Sequence, residues 1–134
     1  MAKVENFEDL EVWQLARALA SKIYELTRNG EFAKDFGLRD QIRRATVSIV
    51  SNIAEGFGRR SNVEFSPFLE IASGSTSEVQ AQLYIAHDLK YLTKEQFDSV
   101  FVDVKHIGRM LTKLMQYLRN ASKPSDSSAA ENNR

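Results

Sequence analysis

The sequence predicts an all-α protein whose four long helices pack as an antiparallel, up-down-up-down bundle. Four segments carry apolar residues at three- and four-residue steps, the spacing of one helix face. No segment alternates apolar and polar residues in the way that is typical of a half-buried strand. The connections between the four segments are short, and short connections favour antiparallel neighbours.

The composition fits one domain with one core. The chain has 134 residues, of which 43% are hydrophobic. Its 18 basic and 18 acidic residues cancel, so a polyanionic partner has to be recognised by a local patch. The absence of cysteine excludes disulfides and thiolate nucleophiles. Acidic residues near the first methionine and the lack of a long apolar run argue against a secretory signal and a membrane span, so we expect a cytoplasmic protein.

The first helix is predicted from about Glu8 to Arg28, after a short arm at residues 1–6. Its buried face is expected to consist of Val12, Ala16, Leu19, Ile23 and Leu26. Asn29-Gly30 should end this helix, because the left-handed conformation costs least for glycine and little for asparagine. A connection of about eight residues is expected to follow.

The second helix, predicted at residues 38–57, is apolar on two faces. One stripe, which should face the core, consists of Leu38, Ile42, Ala45, Ile49 and Ile53. The two stripes together cover about 200° of the circumference, whereas a surface helix buries roughly 100°. We therefore expect the second stripe to form an interface between subunits of a homo-oligomer. That stripe contains Arg39, Arg43, Val47, Val50, Ala54 and Phe57. Gly56 and Gly58 are expected to close the helix.

The third helix is predicted at residues 62–91. Ser61 and Glu64 have the spacing of a capping box, which favours a start at residue 62. Pro67 lacks a backbone donor, so either the first turn is irregular or the helix starts at Ser66 with Pro67 in its first position. Glycine costs about 1 kcal/mol relative to alanine inside a helix, so Gly74 is expected to lie where a neighbouring helix approaches closely.

The fourth helix is predicted at residues 94–120. Thr93 and Gln96 again have the spacing of a capping box. The core positions are Phe97, Val100 or Phe101, Val104, Ile107, Leu111, Leu114 and Leu118. Residues 121–134 contain no large apolar side chain and are expected to form a disordered tail.

Several phrases of the sequence resemble a known family. They include Phe7-Glu8-Asp9-Leu10, Gln41-Ile42-Arg43-Arg44-Ala45, Asn52-Ile53-Ala54-Glu55-Gly56 and Phe68-Leu69-Glu70-Ile71-Ala72-Ser73-Gly74-Ser75. With these phrases the chain, from about Phe7 to Leu118, resembles the bacterial four-helix-bundle proteins encoded in intervening sequences of 23S ribosomal RNA genes. Pro67 departs from the pattern of that family.

The resemblance implies four antiparallel helices per subunit and a ring of five subunits. It also implies a relation to the accessory protein of diversity-generating retroelements, a pentamer that binds nucleic acid and a reverse transcriptase. No established activity accompanies the intervening-sequence proteins themselves.

The arginines of the second helix have two interpretations. Arg59 and Arg60 lie past the helix end, where they are candidates for binding RNA or DNA phosphates as a basic rim. Arg39, Arg43 and Arg44 lie in or beside an apolar face, where charges are normally paired, so ion pairing is favoured for them. The structural ion pairs are expected among Arg44, Glu55, Glu70 and Glu78.

The sequence predicts no catalytic residue, metal or cofactor. His87 and His106 are the only histidines, and neither stands in a Glu-x-x-His motif. Trp13 and Tyr24 are spaced as core or interface anchors, with no basic residues interleaved to form a base-stacking platform.

We therefore expect a non-enzymatic homo-oligomer, a scaffold or accessory protein with RNA or DNA as a candidate partner at the basic rim. The alternative is a structural or protein-interaction module that binds no nucleic acid.

Overall fold

The computed structural model describes residues 4–122, and every regular element in that part of the chain is helical. The predicted all-α class is confirmed. A 3₁₀ turn at Phe7–Asp9 precedes α1 (Glu11–Leu26), α2 (Gly30–Lys34), α3 (Phe36–Phe57), α4 (Asn62–Asp88) and α5 (Lys94–Ser122). Most of the predicted tail and the first three residues of the predicted arm lie outside the described residues. Between residues 4 and 122, no helix combines the length and the apolar character needed to cross a membrane.

The four long helices enclose one hydrophobic core. Helix α3 packs against α1 and α4, and α5 packs against α4 and α1. Each long helix contributes fully buried side chains, such as Leu19, Ile49, Leu83 and Leu111. The apolar stripes that the sequence assigns to the core are therefore the faces that meet at the centre.

The chain enters α1 through a separate turn. A helix from Glu8 was expected, but Leu10 adopts an extended conformation and α1 begins at Glu11. The side-chain amide of Gln14 stabilises the turn by donating a hydrogen bond to the backbone carbonyl of Glu8 at 2.8 Å. The ring of Phe7 also packs edge-on against Trp13, with 4.9 Å between the ring centres.

The segment between α1 and α3 contains a short helix where a plain connection was expected. Helix α1 ends at Leu26, and Gly30, with φ at +68°, begins α2 instead of capping α1. Phe32 is only 1% exposed, so α2 is fixed by one buried aromatic side chain. The carboxylate of Asp35 then accepts the backbone N–H of Leu38 at 3.1 Å, and this cap starts α3 at Phe36.

Gly56 belongs to the interior of α3 and not to its end. The cap is Gly58, whereas Gly56 is buried against the beginning of α4. A Cβ atom on Gly56 would lie 2.6 Å from Cβ of Phe68 and 2.8 Å from the ring of Phe65. The absence of a side chain therefore lets α3 and α4 approach closely.

Helix α4 starts at Asn62, the first of the two starts left open by the sequence. The hydroxyl of Ser61 accepts the N–H of Glu64 at 3.2 Å, which confirms the cap. The Glu64 carboxylate reaches the N–H of Arg60 at 3.3 Å, one residue before the N–H of Ser61 that was expected. Pro67 lies inside the helix, and the carbonyl of Val63 that loses its helical donor belongs to a residue that is 70% exposed.

Helix α4 ends three residues before the predicted Tyr91. Lys90 adopts a left-handed conformation, with φ at 64°. The N–H of Lys90 donates to the carbonyl of His87 and that of Tyr91 to the carbonyl of Ala86, both at 2.9 Å. This pair of bonds is a Schellman motif formed without glycine, which explains why the sequence did not show it.

The predicted capping box at the start of α5 is confirmed. The hydroxyl of Thr93 accepts the N–H of Gln96 at 3.1 Å. The Gln96 side chain in return accepts the N–H of Thr93 at 2.9 Å.

Candidate interfaces for a second subunit and for nucleic acid

Arg43, in the predicted interface stripe of α3, is held by α1. Its Nε atom donates to the hydroxyl of Thr27 at 2.8 Å, and its guanidinium lies 4.4 Å from the ring centre of Tyr24. The side chain thus gains a hydrogen bond and a cation–π contact within its own chain. Tyr24 and Arg43 are far apart in sequence, so the spacing of residues along the chain did not indicate this contact.

Arg39 is also satisfied within the chain. It donates to the carbonyl of Ala33 at 3.1 Å and pairs with Asp40 at 2.9 Å. Its guanidinium lies 4.7 Å from the ring centre of Phe36, which is 64% exposed. The charge of Arg39 is therefore compensated within the chain, and the exposed group at this place is the ring of Phe36.

The apolar members of the predicted stripe are unequally exposed. Val50 and Phe57 pack against the core, and Ala54 is half-buried. Val47 is 41% exposed. Within the described chain, one large apolar side chain of this stripe is left for another subunit, and the interface on α3 stays a prediction.

The predicted rim at Arg59 and Arg60 contains one compensated and one uncompensated cation. Arg59 pairs with Glu55 at 3.1 Å and lies 4.6 Å from the ring centre of Phe68. Arg60 is exposed, and no carboxylate of residues 4–121 lies within 4.0 Å of its guanidinium. The two arginines line a surface cleft together with Ser61.

The residues predicted to form ion pairs are not joined to one another within one chain. Glu55 pairs with Arg59, whereas Arg44 and Glu78 line a common cleft without an ion pair inside 4.0 Å in the described part of the chain. Glu70 is exposed and is likewise without such a pair there. Pairing of these groups between subunits stays a prediction.

A second stripe on α4, which the sequence reasoning missed, is exposed along its whole length. We call it the outer α4 face. Its members follow one another at three- and four-residue steps, and every one of them is exposed. They are Val63, Pro67, Ile71, Gly74, Glu78, Ala81, Ile85 and Leu89. One charged residue interrupts a surface that is otherwise apolar or small.

The large side chains of the outer α4 face are far from buried. Val63 is 70% exposed, Ile71 52%, Ile85 48% and Leu89 51%. Gly74 was expected to lie against a neighbouring helix, and this expectation is wrong for residues 4–122, because a Cβ atom on Gly74 would have no neighbour within 4 Å there. The signal was present in the sequence as a second apolar period in α4, parallel to the buried stripe.

Comparison with protein families identifies the family of the chain. The sequence pattern described as "23S rRNA-intervening sequence protein" matches residues 8–113, which include all of α1, α3 and α4. The chain belongs to the 23S rRNA-intervening sequence protein family. The resemblance inferred from the sequence is thereby confirmed at the level of this family.

A solved structure that is similar to this chain agrees with that assignment. It is the crystal structure of a protein with unknown function from the S23 ribosomal protein family of Bacteroides thetaiotaomicron. The two chains are 28% identical with a TM-score of 0.72, over 78% of this chain and 97% of the other. No curated protein matches the chain.

Two titratable side chains of the described residues, Tyr91 and Lys94, have raised pKa values. In residues 4–122, no three His, Asp or Glu side chains are grouped so that they could hold a metal ion. The hydrogen bond to Asp35 raises the pKa of Tyr91, and the hydrogen bond to Asp98 raises the pKa of Lys94. Both shifts lead away from neutrality, whereas a general base needs a pKa near the working pH.

Proposed function

We propose that this protein is a non-enzymatic, homo-oligomeric helical-bundle scaffold or accessory protein whose subunits meet at the outer α4 face. The proposal includes the antiparallel, up-down-up-down order of the four long helices. Contacts at two levels of the α3–α4 pair support that order. Gly56 lies beside Phe65 near the α3–α4 turn, and Ser48 hydrogen-bonds Ser75 farther from it.

The exposed apolar surface of α4 is the observation that carries the proposal. A helix that is apolar on two sides is normally buried on both. Within the described chain, other helices cover only one apolar side of α4. Burying a fully exposed large aliphatic side chain contributes about 1.5–3 kcal/mol, and the four here are 48–70% exposed, so covering each contributes roughly half of that or more and favours association. The stripe runs from Val63 to Leu89, which are 26 steps apart in the sequence and therefore about 39 Å apart at 1.5 Å per residue, enough for a long helix–helix contact.

A second copy of the chain fits this surface because its centre is small. Gly74 and Ala81 lack side chains that would hold another helix away, and small residues allow close packing of helices. Glu78 lies between them, and Arg44 lines the adjoining cleft without an acidic partner within 4.0 Å in the described chain. A neighbouring subunit brings the same groups and can pair them. The number of five subunits rests on the family resemblance.

The proposal is tested by placing charge on the outer α4 face. We expect Ile71→Glu combined with Ile85→Glu to convert the oligomer to a monomer, because each glutamate would be buried unpaired. Multi-angle light scattering measures the mass, and circular dichroism checks that the helices remain.

Val47→Glu is the matched control, since Val47 has similar exposure on α3. We expect it to leave the oligomer intact. Dissociation by Val47→Glu but not by the two α4 changes would place the interface on the stripe predicted for α3 and contradict the proposal.

RNA or DNA binding at Arg59 and Arg60 is a second candidate function. What supports it is the exposed guanidinium of Arg60, which has no carboxylate within 4.0 Å in the described residues, whereas the Glu64 carboxylate bonds the backbone N–H of Arg60. Repetition in a ring would multiply this charge. Arg59 is paired with Glu55, so only one of the two arginines is left without an acidic side-chain partner in the described residues. We therefore rank nucleic-acid binding at this site below assembly.

A further inference from the structure

The C-terminal two thirds of α5 contain basic residues and no acidic ones, although the whole chain is neutral. Residues 104–122 contain Lys105, Arg109, Lys113 and Arg119 and no aspartate or glutamate. The acidic excess is therefore in the rest of the chain. A local positive field exists here that the net charge conceals.

Three of these cations form one row. Lys105, Arg109 and Lys113 are four residues apart, so neighbouring members are separated by about 6 Å along the helix axis. All three are exposed, and none has a carboxylate within 4.0 Å among residues 4–121. Other exposed cations of the chain, such as Arg28 and Lys94, do have such partners.

The row borders an open cleft between α4 and α5 whose other wall is polar and uncharged. Ser73, Ser77 and Gln80 of α4 and Thr112 of α5 line it, and no acidic residue does. Gly108 lies in the same cleft, where a Cβ atom would be 3.4 Å from the hydroxyl of Thr76. The two helices approach closely there, which sets the hydroxyl groups beside the cations.

We infer that this α4–α5 cleft binds the phosphate backbone of a nucleic acid. Lysine, arginine, serine, threonine and glutamine are the side chains that contact phosphates without reading sequence. A straight row of cations at regular spacing matches a repeating polyanion. Lysine and arginine attract carboxylates as well as phosphates, so the choice of a nucleic acid over an acidic protein segment rests on the regular spacing of the row and on the uncharged hydroxyl and amide groups of the opposite wall.

This inference goes beyond the proposed scaffold function and involves a surface different from Arg59 and Arg60. The cleft lies on the α5 side of α4, beside the outer α4 face and not within it. Assembly through that face would leave one cleft per subunit accessible.

The experiment uses the full chain and two fluorescently labelled probes of equal length, an RNA duplex and a DNA duplex. Affinity is measured by anisotropy between 50 and 300 mM salt. Each neutralised phosphate of a duplex contributes about 0.9 to the slope of log affinity against log salt, so three contacts give a slope of about −3. Lys105→Gln, Arg109→Gln and Lys113→Gln combined should weaken binding at least tenfold and remove most of that slope.

The matched control removes the same charge from cations that have acidic partners. Arg28→Gln, Lys34→Gln and Lys94→Gln combined change the net charge equally and should alter the affinity less than twofold. Equal loss in both variants would mean a general charge effect and would overturn the inference. If Arg60→Gln abolishes binding and the α5 variant keeps it, the binding site is the basic rim at Arg59 and Arg60. That result would also overturn the inference.

Labelled polyglutamate of the same charge as the duplexes completes the test. We expect it to bind at least tenfold more weakly, and equal affinity would overturn the choice of nucleic acid. The mass of each sample is measured in parallel. An oligomer that binds neither duplex at 50 mM salt contradicts this inference and leaves the scaffold proposal standing, whereas a monomer contradicts the scaffold proposal itself.

Discussion

Gly56 is the residue at which packing most clearly overrides local preference. Alanine normally stabilises a helix interior by about 1 kcal/mol relative to glycine. At Gly56 the added methyl group would overlap the side chains of Phe65 and Phe68. Overpacking of a core costs about 1–3 kcal/mol, so the clash reverses the usual sign.

We therefore expect Gly56→Ala to lower the free energy of unfolding by about 1–2 kcal/mol, measured by urea denaturation at fixed protein concentration. Gly37→Ala in the first turn of the same helix is the control, because its Cβ atom would have no neighbour closer than 3.9 Å. We expect this control to be neutral or slightly stabilising. A stabilising Gly56→Ala would show that α4 does not press on α3 at this point.

At this scale the sequence predicted which residues are apolar and periodic but not what each glycine does. Gly56 and Gly58 are two residues apart, and the local sequence does not show which of them caps the helix. The contact of Gly56 with Phe68, across the α3–α4 turn, shows that Gly56 has a packing role and Gly58 is the cap. The contacts of Arg43 with Thr27 and Tyr24 also join distant positions of the chain. Residue periodicity within one helix contains no information about such pairs.

At the scale of elements, one hydrogen-bonded unit ties the start of α3 to the α4–α5 turn. The carboxylate of Asp35 accepts the N–H of Leu38 with one oxygen and the hydroxyl of Tyr91 with the other, at 3.1 and 2.9 Å. The ring of Tyr91 packs on Phe32 of α2, with 5.3 Å between the ring centres. Four helices are thereby fixed at one end of the bundle.

This unit predicts a pH dependence of stability. The hydrogen bond to Asp35 raises the pKa of Tyr91 above 10.0, its ordinary value. Because the folded state holds this proton more tightly, the stabilisation is complete below about pH 10 and is lost as the pH rises through the raised value. Tyr91→Phe should therefore lower the unfolding free energy at pH 7, and its difference from the unchanged protein should shrink above pH 10.

Urea denaturation at pH 7 and at pH 11 measures that difference. Tyr84→Phe is the control, since Tyr84 is exposed and its hydroxyl has no hydrogen bond within residues 4–121. A difference for Tyr91→Phe that is the same at both pH values would mean that the Asp35 bond contributes nothing to stability.

The long helices were predictable because their apolar periods and caps are local features. Helix α2 was not, since five residues give too little periodicity and one buried side chain, Phe32, fixes it. The end of α4 was missed because a lysine occupies the left-handed position usually taken by glycine. The outer α4 face was missed because small and polar residues at Gly74 and Glu78 interrupt its apolar pattern.

For the whole molecule, the two surfaces that the structure adds have opposite character. The outer α4 face is mostly apolar and is not covered by another helix of the described chain, whereas the α4–α5 cleft beside it is basic. The zero net charge hid the second surface, since the acids that cancel the α5 cations lie elsewhere in the chain. Assembly through the first surface would bring several copies of the second into one particle and raise the affinity for a long polyanion through multivalency.

The mass of the unmodified chain in solution shows whether its subunits assemble. Multi-angle light scattering at micromolar concentration and physiological salt should give one species of several times 15.2 kDa, and five times if the family resemblance extends to subunit number. A uniform monomer of 15.2 kDa under these conditions would show that the outer α4 face is not a subunit interface and would contradict the account.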